Sequence, residues 1–233
     1  MKKRNDGQGI PVLTIDGPSG SGKGTIARRV AAELGWNLLD SGALYRLTAL
    51  SAARNGRDGC PAAELAQFAA GLEVRFESTS DGDELIYLSG EEVSGEVRTE
   101  ASGLKASNIA PFSEVRQALI GLQRSFRRAP GLVADGRDMG TTIFPQAGLK
   151  VFLTASADER AKRRHKQLKD KGIDVSLPAL SRDIEDRDRR DSGRSVAPLR
   201  PAADARVLDS SDLNIDEVVE RVLGWAHELE LVK

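Results

Sequence analysis

Short apolar runs alternate with segments of helical periodicity along most of this chain. The apolar runs that predict buried strands occupy residues 12–15, 36–39, 132–134, 149–153 and 205–208. Apolar stripes at helical spacing predict helices over about 23–34 and 113–129. Capping residues predict further helices over about 42–54 and 157–171, and from Asn214 onward. Ser41 is predicted to be the N-cap of the second helix. This alternation predicts an α/β fold with a doubly wound, parallel, five-stranded sheet.

Residues 68–108 depart from that pattern. Apolar and polar positions alternate over 72–77, and a polar turn around Asp81 and Gly82 leads to the apolar run 85–88. A second turn follows at Gly90 and Glu91. We therefore expect a small antiparallel, β-rich insert within the parallel α/β domain.

Two strongly charged segments occur late in the chain. Ser156 and Glu159 have the spacing of a capping box, which opens the basic helix predicted at 157–171. The segment 182–194 interleaves arginines with aspartates, many of them spaced for i,i+4 ion pairs. Glycines bound these segments, so we expect them to form a helical lid.

A glycine-rich loop joins the first predicted strand to the first predicted helix. It has the spacing G-x-x-x-x-G-K, in which glycines let backbone N–H groups surround a polyphosphate at a helix N-terminus. The lysine adds a mobile cation, and a glycine and a threonine follow it. The predicted ATP-binding residues are Gly17, Pro18, Ser19, Gly20, Ser21, Gly22, Lys23, Gly24 and Thr25.

Composition narrows the classes of function. The 233 residues are 39% hydrophobic and 30% charged, with a net charge of -1, which gives no general attraction to nucleic acid or membranes. The basic residues at 160–194 are matched by acids and lack interleaved aromatics, which also disfavours nucleic-acid binding. The single cysteine, Cys60, excludes an internal disulfide and fits a cytoplasmic protein, and the polar residues 1–9 predict a flexible tail.

Polar residues follow the second and third predicted strands. Because the carboxyl ends of parallel strands share one edge of a sheet, we expect Ser41, Arg46, Arg137 and Asp138 to face the glycine-rich loop. Arginines there could hold a second anion by bidentate contacts. Two facing anion sites under a lid indicate a phosphoryl transferase with an anionic acceptor.

Five sequence blocks resemble those of bacterial cytidylate kinases. They are IDGPSGSGKGT at 15–25, LLDSGALYR at 38–46, VSGEVRT at 93–99, LVADGRDMGT at 132–141 and RSVAPL at 194–199. The resemblance implies a P-loop kinase that phosphorylates CMP and dCMP with ATP and Mg²⁺. It also implies a division into a core (10–40, 131–156, 195–233), a monophosphate-binding lobe (41–130) and a lid (157–194).

The same resemblance implies roles for individual residues. Contacts to the acceptor phosphate are implied for Ser41, Arg46, Arg137 and Arg194, contacts to cytosine for Ser107, Arg116 and Asp138, and contacts near the sugar for Arg187 and Asp191. The candidate catalytic residues are Lys23, Arg137, Arg187 and Arg194. Magnesium is expected to bind mainly phosphate oxygens and water, supported by Thr25 or by a strand-end acid such as Asp16 or Asp135.

Alternative functions remain open at this point. One is a P-loop kinase for another small acceptor such as UMP, AMP or shikimate, and another is a switch that binds ATP without transferring phosphate. The β-rich insert and the cytosine candidates favour the cytidylate kinase. We expect small-molecule substrates, no nucleic-acid or membrane partner, and a monomer.

Overall fold

The computed structural model describes residues 9–78, 84–170, 172 and 174–232. The turn predicted at Asp81 and Gly82 and nearly all of the predicted tail lie outside these residues. The chain divides into two compact units, the second of which comprises residues 40–124 and 194–197, while the remaining residues form the first. The predicted division into core, lobe and lid stays a prediction.

The strands and helices are as follows. The strands are β1 Val12–Asp16, β2 Asn37–Asp40, β3 Val74–Ser78, β4 Glu84–Leu88, β5 Glu91–Glu92, β6 Leu132–Gly136, β7 Leu149–Thr154 and β8 Arg206–Asp209. The helices are α1 Lys23–Leu34, α2 Ser41–Arg54, α3 Ala62–Ala70, α4 Ser94–Val97, α5 Glu100–Ile109, α6 Ser113–Ser125, α7 Ala157–Asp170, α8 Leu177–Ser192 and α9 Ile215–Glu228. A π-helical turn spans Met139–Ile143. In the described part of the chain, no helix is long and apolar enough to cross a membrane.

The larger sheet has the strand order β2-β6-β1-β7-β8, and β1 pairs in parallel with both β6 and β7. Every residue of β1 and β6 is buried. Both strands have a strand on either side, and α1 packs against them. The predicted doubly wound α/β fold is confirmed. Both central strands run further than predicted, so that Asp16 and Asp135 lie at strand ends.

The core lies where α1 and α9 pack against this sheet. Leu13 and Ile15 of β1 are fully buried, and burial of such a side chain contributes about 1.5–3 kcal/mol. The residues that α1 and α9 contribute are Ile26, Ala27, Val30, Ala31, Val218, Val219, Val222 and Ala226. The predicted helical stripes therefore have the packing role that their spacing indicates.

The β-rich insert in the second unit is confirmed. Strands β3, β4 and β5 form an antiparallel sheet, in which Val74 pairs with Leu88 and Phe76 pairs with Ile86. Ile86 and Leu88 are buried. The alternation of apolar and polar residues predicted these strands correctly because one face of the sheet is buried.

Two predicted helix ends are wrong. The N-cap of α2 is Asp40, whose Oδ1 accepts a hydrogen bond from the Ala43 N–H at 3.0 Å, so Ser41 is the first helical residue instead. Helix α6 ends at Ser125, four residues before the predicted end. The segment after it leaves the helix because the Asn37 amide donates to the carbonyls of Arg128, Ala129 and Gly131 and ties it to β2.

The capping box predicted before α7 is half correct. The Ser156 hydroxyl accepts from the Glu159 N–H at 3.2 Å, as predicted. The Ser156 N–H, however, donates to Ser211, and the Glu159 carboxylate pairs with Arg163. Asn214 and Glu217 form a complete capping box at the start of α9.

Helix α5, which the pattern missed, buries little apolar surface. The buried positions of α5 are Gly103, Ala106, Ser107 and Ile109, most of which are small or polar. Helix α8 begins at Leu177, five residues before the predicted segment, and Ser176 caps it through the Ala179 N–H. A stripe of small residues gives no hydrophobic periodicity by which such a helix can be recognised.

Candidate functional site

The glycine-rich loop turns sharply from β1 into α1. A Cβ atom on Gly17 would lie 2.1 Å from the carbonyl oxygen of Leu153, so the approach of β7 admits only glycine there. Gly22 is the N-cap of α1 with φ of 88°, in the left-handed region. Because glycine has no capping side chain, the first N–H groups of α1 remain available to an anion.

Lys23 and Ser21 direct polar atoms at the loop. The Lys23 Nζ donates to the Pro18 carbonyl at 3.2 Å, which places the ammonium group across the loop. The Ser21 Oγ is buried and has no hydrogen-bond partner among the described residues. It lies inside the turn, since a Cβ on Gly17 would be 3.3 Å from it. The loop therefore offers a cation, a hydroxyl and backbone donors to one ligand.

The carboxylate of Asp135 explains why a glycine, Gly24, follows the lysine of the loop. A Cβ atom on Gly24 would lie 3.1 Å from Oδ2 of Asp135, so the serine or threonine usual at this position would crowd that oxygen. Asp135 is buried in β6, next to Ile15 of β1. Thr25, in the same turn of α1, accepts a long contact of 3.5 Å from Arg28. Asp135 and Thr25 thus place hard oxygen ligands near the phosphate loop, which suits Mg²⁺.

Asp16 has a different task. Its two carboxylate oxygens accept the N–H groups of Met139 and Gly140, each at 2.8 Å. Burial raises the pKa of Asp16 to about 6, although these two N–H bonds lower it. Both oxygens therefore hold the π-helical turn at the end of β1.

Four predicted acceptor residues lie in the first unit. The Arg137 Nε donates to Oδ2 of Asp191 at 3.0 Å, and the Asp191 side chain is only 2% exposed. Asp138 is buried immediately before the π-helical turn, where its carbonyl accepts the N–H of Thr142. Arg187 lies on α8, one turn before Asp191. The structure therefore joins Arg137 to Asp191 across β6 and α8.

The other predicted acceptor residues lie in the second unit. Arg116 is buried on α6, and its Nη1 donates to the Tyr45 hydroxyl at 3.3 Å. The Arg46 Nη1 donates to the carbonyls of Val97 and Thr99. Ser107 is buried, and its hydroxyl has no hydrogen-bond partner within the described residues. Arg194 is half-buried in the segment 194–197.

Sequence reasoning missed Gln123. Its side chain is completely buried, and its Oε1 accepts from the Ser41 hydroxyl at 2.9 Å, while its Nε2 has no partner among the residues that the structure describes. A signal was present, because Gln123 continues the i,i+4 series of Val115 and Leu119 on the buried face of α6. A polar amide in an apolar stripe indicates a specific hydrogen-bonding task.

Comparison with known proteins places this geometry in a family. The family model described as cytidylate kinase matches residues 13–228. A cytidylate kinase of Klebsiella pneumoniae (strain 342) is 55% identical over 94% of this chain and 96% of its own length. That of Methylococcus capsulatus (strain Bath) is 59% identical over 92% of this chain and 96% of its own length.

One similar solved structure is more distant. A shikimate kinase from Acinetobacter baumannii covers 94% of this chain and 94% of its own, with 15% identity and a TM-score of 0.42, a likeness too low to bear on function. The family match and the curated relatives, by contrast, span nearly the whole sequence. The chain belongs to the cytidylate kinase family.

Proposed function

We propose that this protein is a phosphotransferase that moves the γ-phosphoryl group of ATP to CMP and dCMP, giving ADP with CDP or dCDP. The observation that carries this proposal is the match to cytidylate kinases over nearly the full length of both chains. The glycine-rich loop supplies the donor half of the chemistry.

On the donor side, the backbone N–H groups of residues 17–25 and the N-terminus of α1 hold the ATP phosphates. Lys23 exchanges its contact with the Pro18 carbonyl for an oxygen of the β- or γ-phosphate. These groups stabilise the charge that develops on the transferring phosphate without moving far, which is the main source of catalysis in phosphoryl transfer.

Magnesium is the proposed cofactor. Asp135 and Thr25 are the residues that would hold it, through the carboxylate and the hydroxyl beside the loop. When bound, the ion neutralises charge on the β- and γ-phosphates.

On the acceptor side, an oxygen of the CMP phosphate attacks the γ-phosphorus, and the bond to the bridging oxygen of ADP breaks. The attacking phosphate is already ionised near pH 7, so no strong general base is needed. We assign its binding to Ser41, Arg46, Arg137 and Arg194. Arg187 and Asp191 are assigned to the sugar.

Recognition of cytosine is assigned to Ser107, Arg116 and Asp138. The Asp138 carboxylate can accept from the exocyclic amine of cytosine, whereas uracil would direct a carbonyl oxygen at it. Two acceptors facing each other disfavour the wrong base.

A lid at 157–194, a monomeric state and a cytoplasmic location remain predictions.

The test is ADP production from Mg-ATP with CMP, dCMP, UMP, AMP, GMP, shikimate or no acceptor. We expect turnover to be led by CMP and dCMP. Turnover led by another acceptor would replace the proposed substrate, and an equal rate without acceptor would indicate an ATP-hydrolysing switch.

A further inference from the structure

Arg160 is a buried cation in contact with the phosphate loop, and the proposed function gives it no role. It lies in the first turns of α7 and is 4% exposed. Its Nη1 donates to the carbonyl of Ser19 at 3.0 Å, and its Nε donates to the carbonyl of Ala155 at 3.0 Å. A Cβ on Gly20 would lie 3.2 Å from the Arg160 Cβ, so the glycine lets α7 approach the loop.

A carboxylate on α8 fixes the guanidinium group from its other side. Asp188 accepts from Nη1 at 3.0 Å through Oδ1 and from Nη2 at 2.5 Å through Oδ2. This is the bidentate geometry that arginine makes and lysine does not. Arg160 therefore spans three segments, because it contacts the phosphate loop, the end of β7 and α8.

Arg163, one turn later on α7, docks the same helix without touching the loop. Its Nη1 donates to the Ser210 hydroxyl at 3.1 Å, its Nη2 to the Ser210 carbonyl at 2.5 Å, and its Nε to Glu159. Arg163, and not Arg160, therefore attaches α7 to the end of β8. The contact that Arg160 adds is the one to the loop backbone.

The carbonyl that Arg160 holds fixes the direction of a loop N–H. In a trans peptide the C=O of one residue and the N–H of the next point in opposite directions. With the Ser19 carbonyl directed at Arg160, the N–H of Gly20 points away from α7. Gly20 has a φ of 78°, and because glycine has no Cβ it can also adopt other backbone conformations. A contact to the Ser19 carbonyl therefore helps to select the orientation of this peptide.

We propose that Arg160 is a positioning residue for ATP. It holds the Ser19–Gly20 peptide so that the Gly20 N–H is directed at the ATP phosphates, and Asp188 holds Arg160 in place. The inference rests on the proposed function only in taking this loop as the ATP phosphate site. It also gives α8 a role in donor binding, since the carboxylate comes from that helix.

The test compares Arg160→Lys with the matched control Arg163→Lys. Both keep one positive charge on α7 and remove a guanidinium fork, but only the first removes the loop contact. We expect Arg160→Lys to raise the KM for ATP about tenfold or more, with a change of less than about twofold in the KM for CMP. We expect the two variants to lower the melting temperature by similar amounts. Arg163→Lys is expected to leave the KM for ATP unchanged.

Binding of a non-hydrolysable ATP analogue, measured calorimetrically without any acceptor, separates this proposal from the proposed function. Weaker analogue binding by Arg160→Lys supports the positioning role even if CMP is not the acceptor. Equal losses in Arg160→Lys and Arg163→Lys, or an unchanged affinity in both, would overturn it.

Asp188→Asn provides a second variant should Arg160→Lys fail to fold. The amide removes the charge and one acceptor for the guanidinium but keeps the side-chain volume. We expect a rise of about three- to tenfold in the dissociation constant of the analogue. An unchanged value in a folded Asp188→Asn protein would contradict the proposal.

Discussion

Asp16 is a buried carboxylate whose oxygens accept the N–H groups of Met139 and Gly140. Burial raises its pKa in the folded state from 3.8 to about 6. Between these values the folded chain keeps a proton that the unfolded chain has lost, so this group's contribution to stability decreases as the pH rises through the window. The full shift corresponds to about 3 kcal/mol.

Substitution Asp16→Asn removes this titration. We expect the difference in unfolding free energy, wild type minus variant, to decrease as the pH is raised from 4 to 7. Denaturant unfolding at several pH values measures it. Asp204→Asn is the control, because Lys150 lowers the pKa of the exposed Asp204 and its contribution changes only at lower pH. A difference for Asp16→Asn that does not vary with pH would show that the pKa is not raised.

Gln123 is a second single residue whose substitution is expected to affect the protein, here at the predicted acceptor site. The Ser41 hydroxyl donates its proton to Gln123 Oε1 in the free chain, whereas donation to a CMP phosphate requires that proton to be redirected. The amide can turn so that its Nε2 donates to Ser41 instead. Glutamate cannot do so, and it adds negative charge beside the predicted phosphate contact.

We therefore expect Gln123→Glu to raise the KM for CMP at least about tenfold and to leave the KM for ATP nearly unchanged. Gln117→Glu is a matched control, because it makes the same change on the exposed face of α6. Steady-state kinetics with each substrate varied in turn distinguishes the outcomes. Similar effects of the two variants would mean that Gln123 has no special relation to the acceptor.

At the scale of elements, the strand–loop–helix unit formed by β1, residues 17–22 and α1 carries the donor chemistry. The approach of β7 fixes its turn at Gly17, and the glycine cap leaves the start of α1 open. Lys23 is the mobile cation of this unit. Buried side chains of α1, among them Ile26, Val30 and Ala31, hold the unit in the core, so we expect the fold to persist without the lysine side chain.

Lys23→Ala is expected to lower kcat by about 10²–10³-fold, the usual cost of removing one group that stabilises the developing charge. The unfolding free energy should remain close to that of the wild type. Arg29→Ala is the control on the same helix, since Arg29 is exposed and pairs with Asp216. Normal turnover by a folded Lys23→Ala protein would exclude the lysine from the mechanism.

At the scale of the whole molecule, we expect Mg²⁺ to be required for turnover but not for folding. Magnesium is proposed to arrive with ATP, supported only by Asp135 and Thr25, so its removal should abolish turnover and leave the folded chain intact. Melting temperature and ADP production, each measured in EDTA and in Mg²⁺, test this. A melting temperature that falls in EDTA without nucleotide would instead indicate a metal ion required for folding.

The sequence by itself determined the α/β class, the phosphate loop and the family. Apolar periodicity and glycine spacing are local properties, so β1, α1 and the loop could be predicted within a residue or two. The same holds for the β-rich insert, whose alternation reflects one covered face. Family blocks supplied the acceptor candidates but not their contacts.

Only the tertiary structure decided which polar side chains meet. The pairing of Gln123 with Ser41 joins residues 82 positions apart, and that of Arg160 with Ser19 joins residues 141 positions apart. The segment after α6 is held by Asn37, which donates to the Ala129 carbonyl 92 positions away. The physical reason is that hydrophobic periodicity reports which face of an element is buried, whereas a hydrogen bond between distant elements depends on how the chain brings them together.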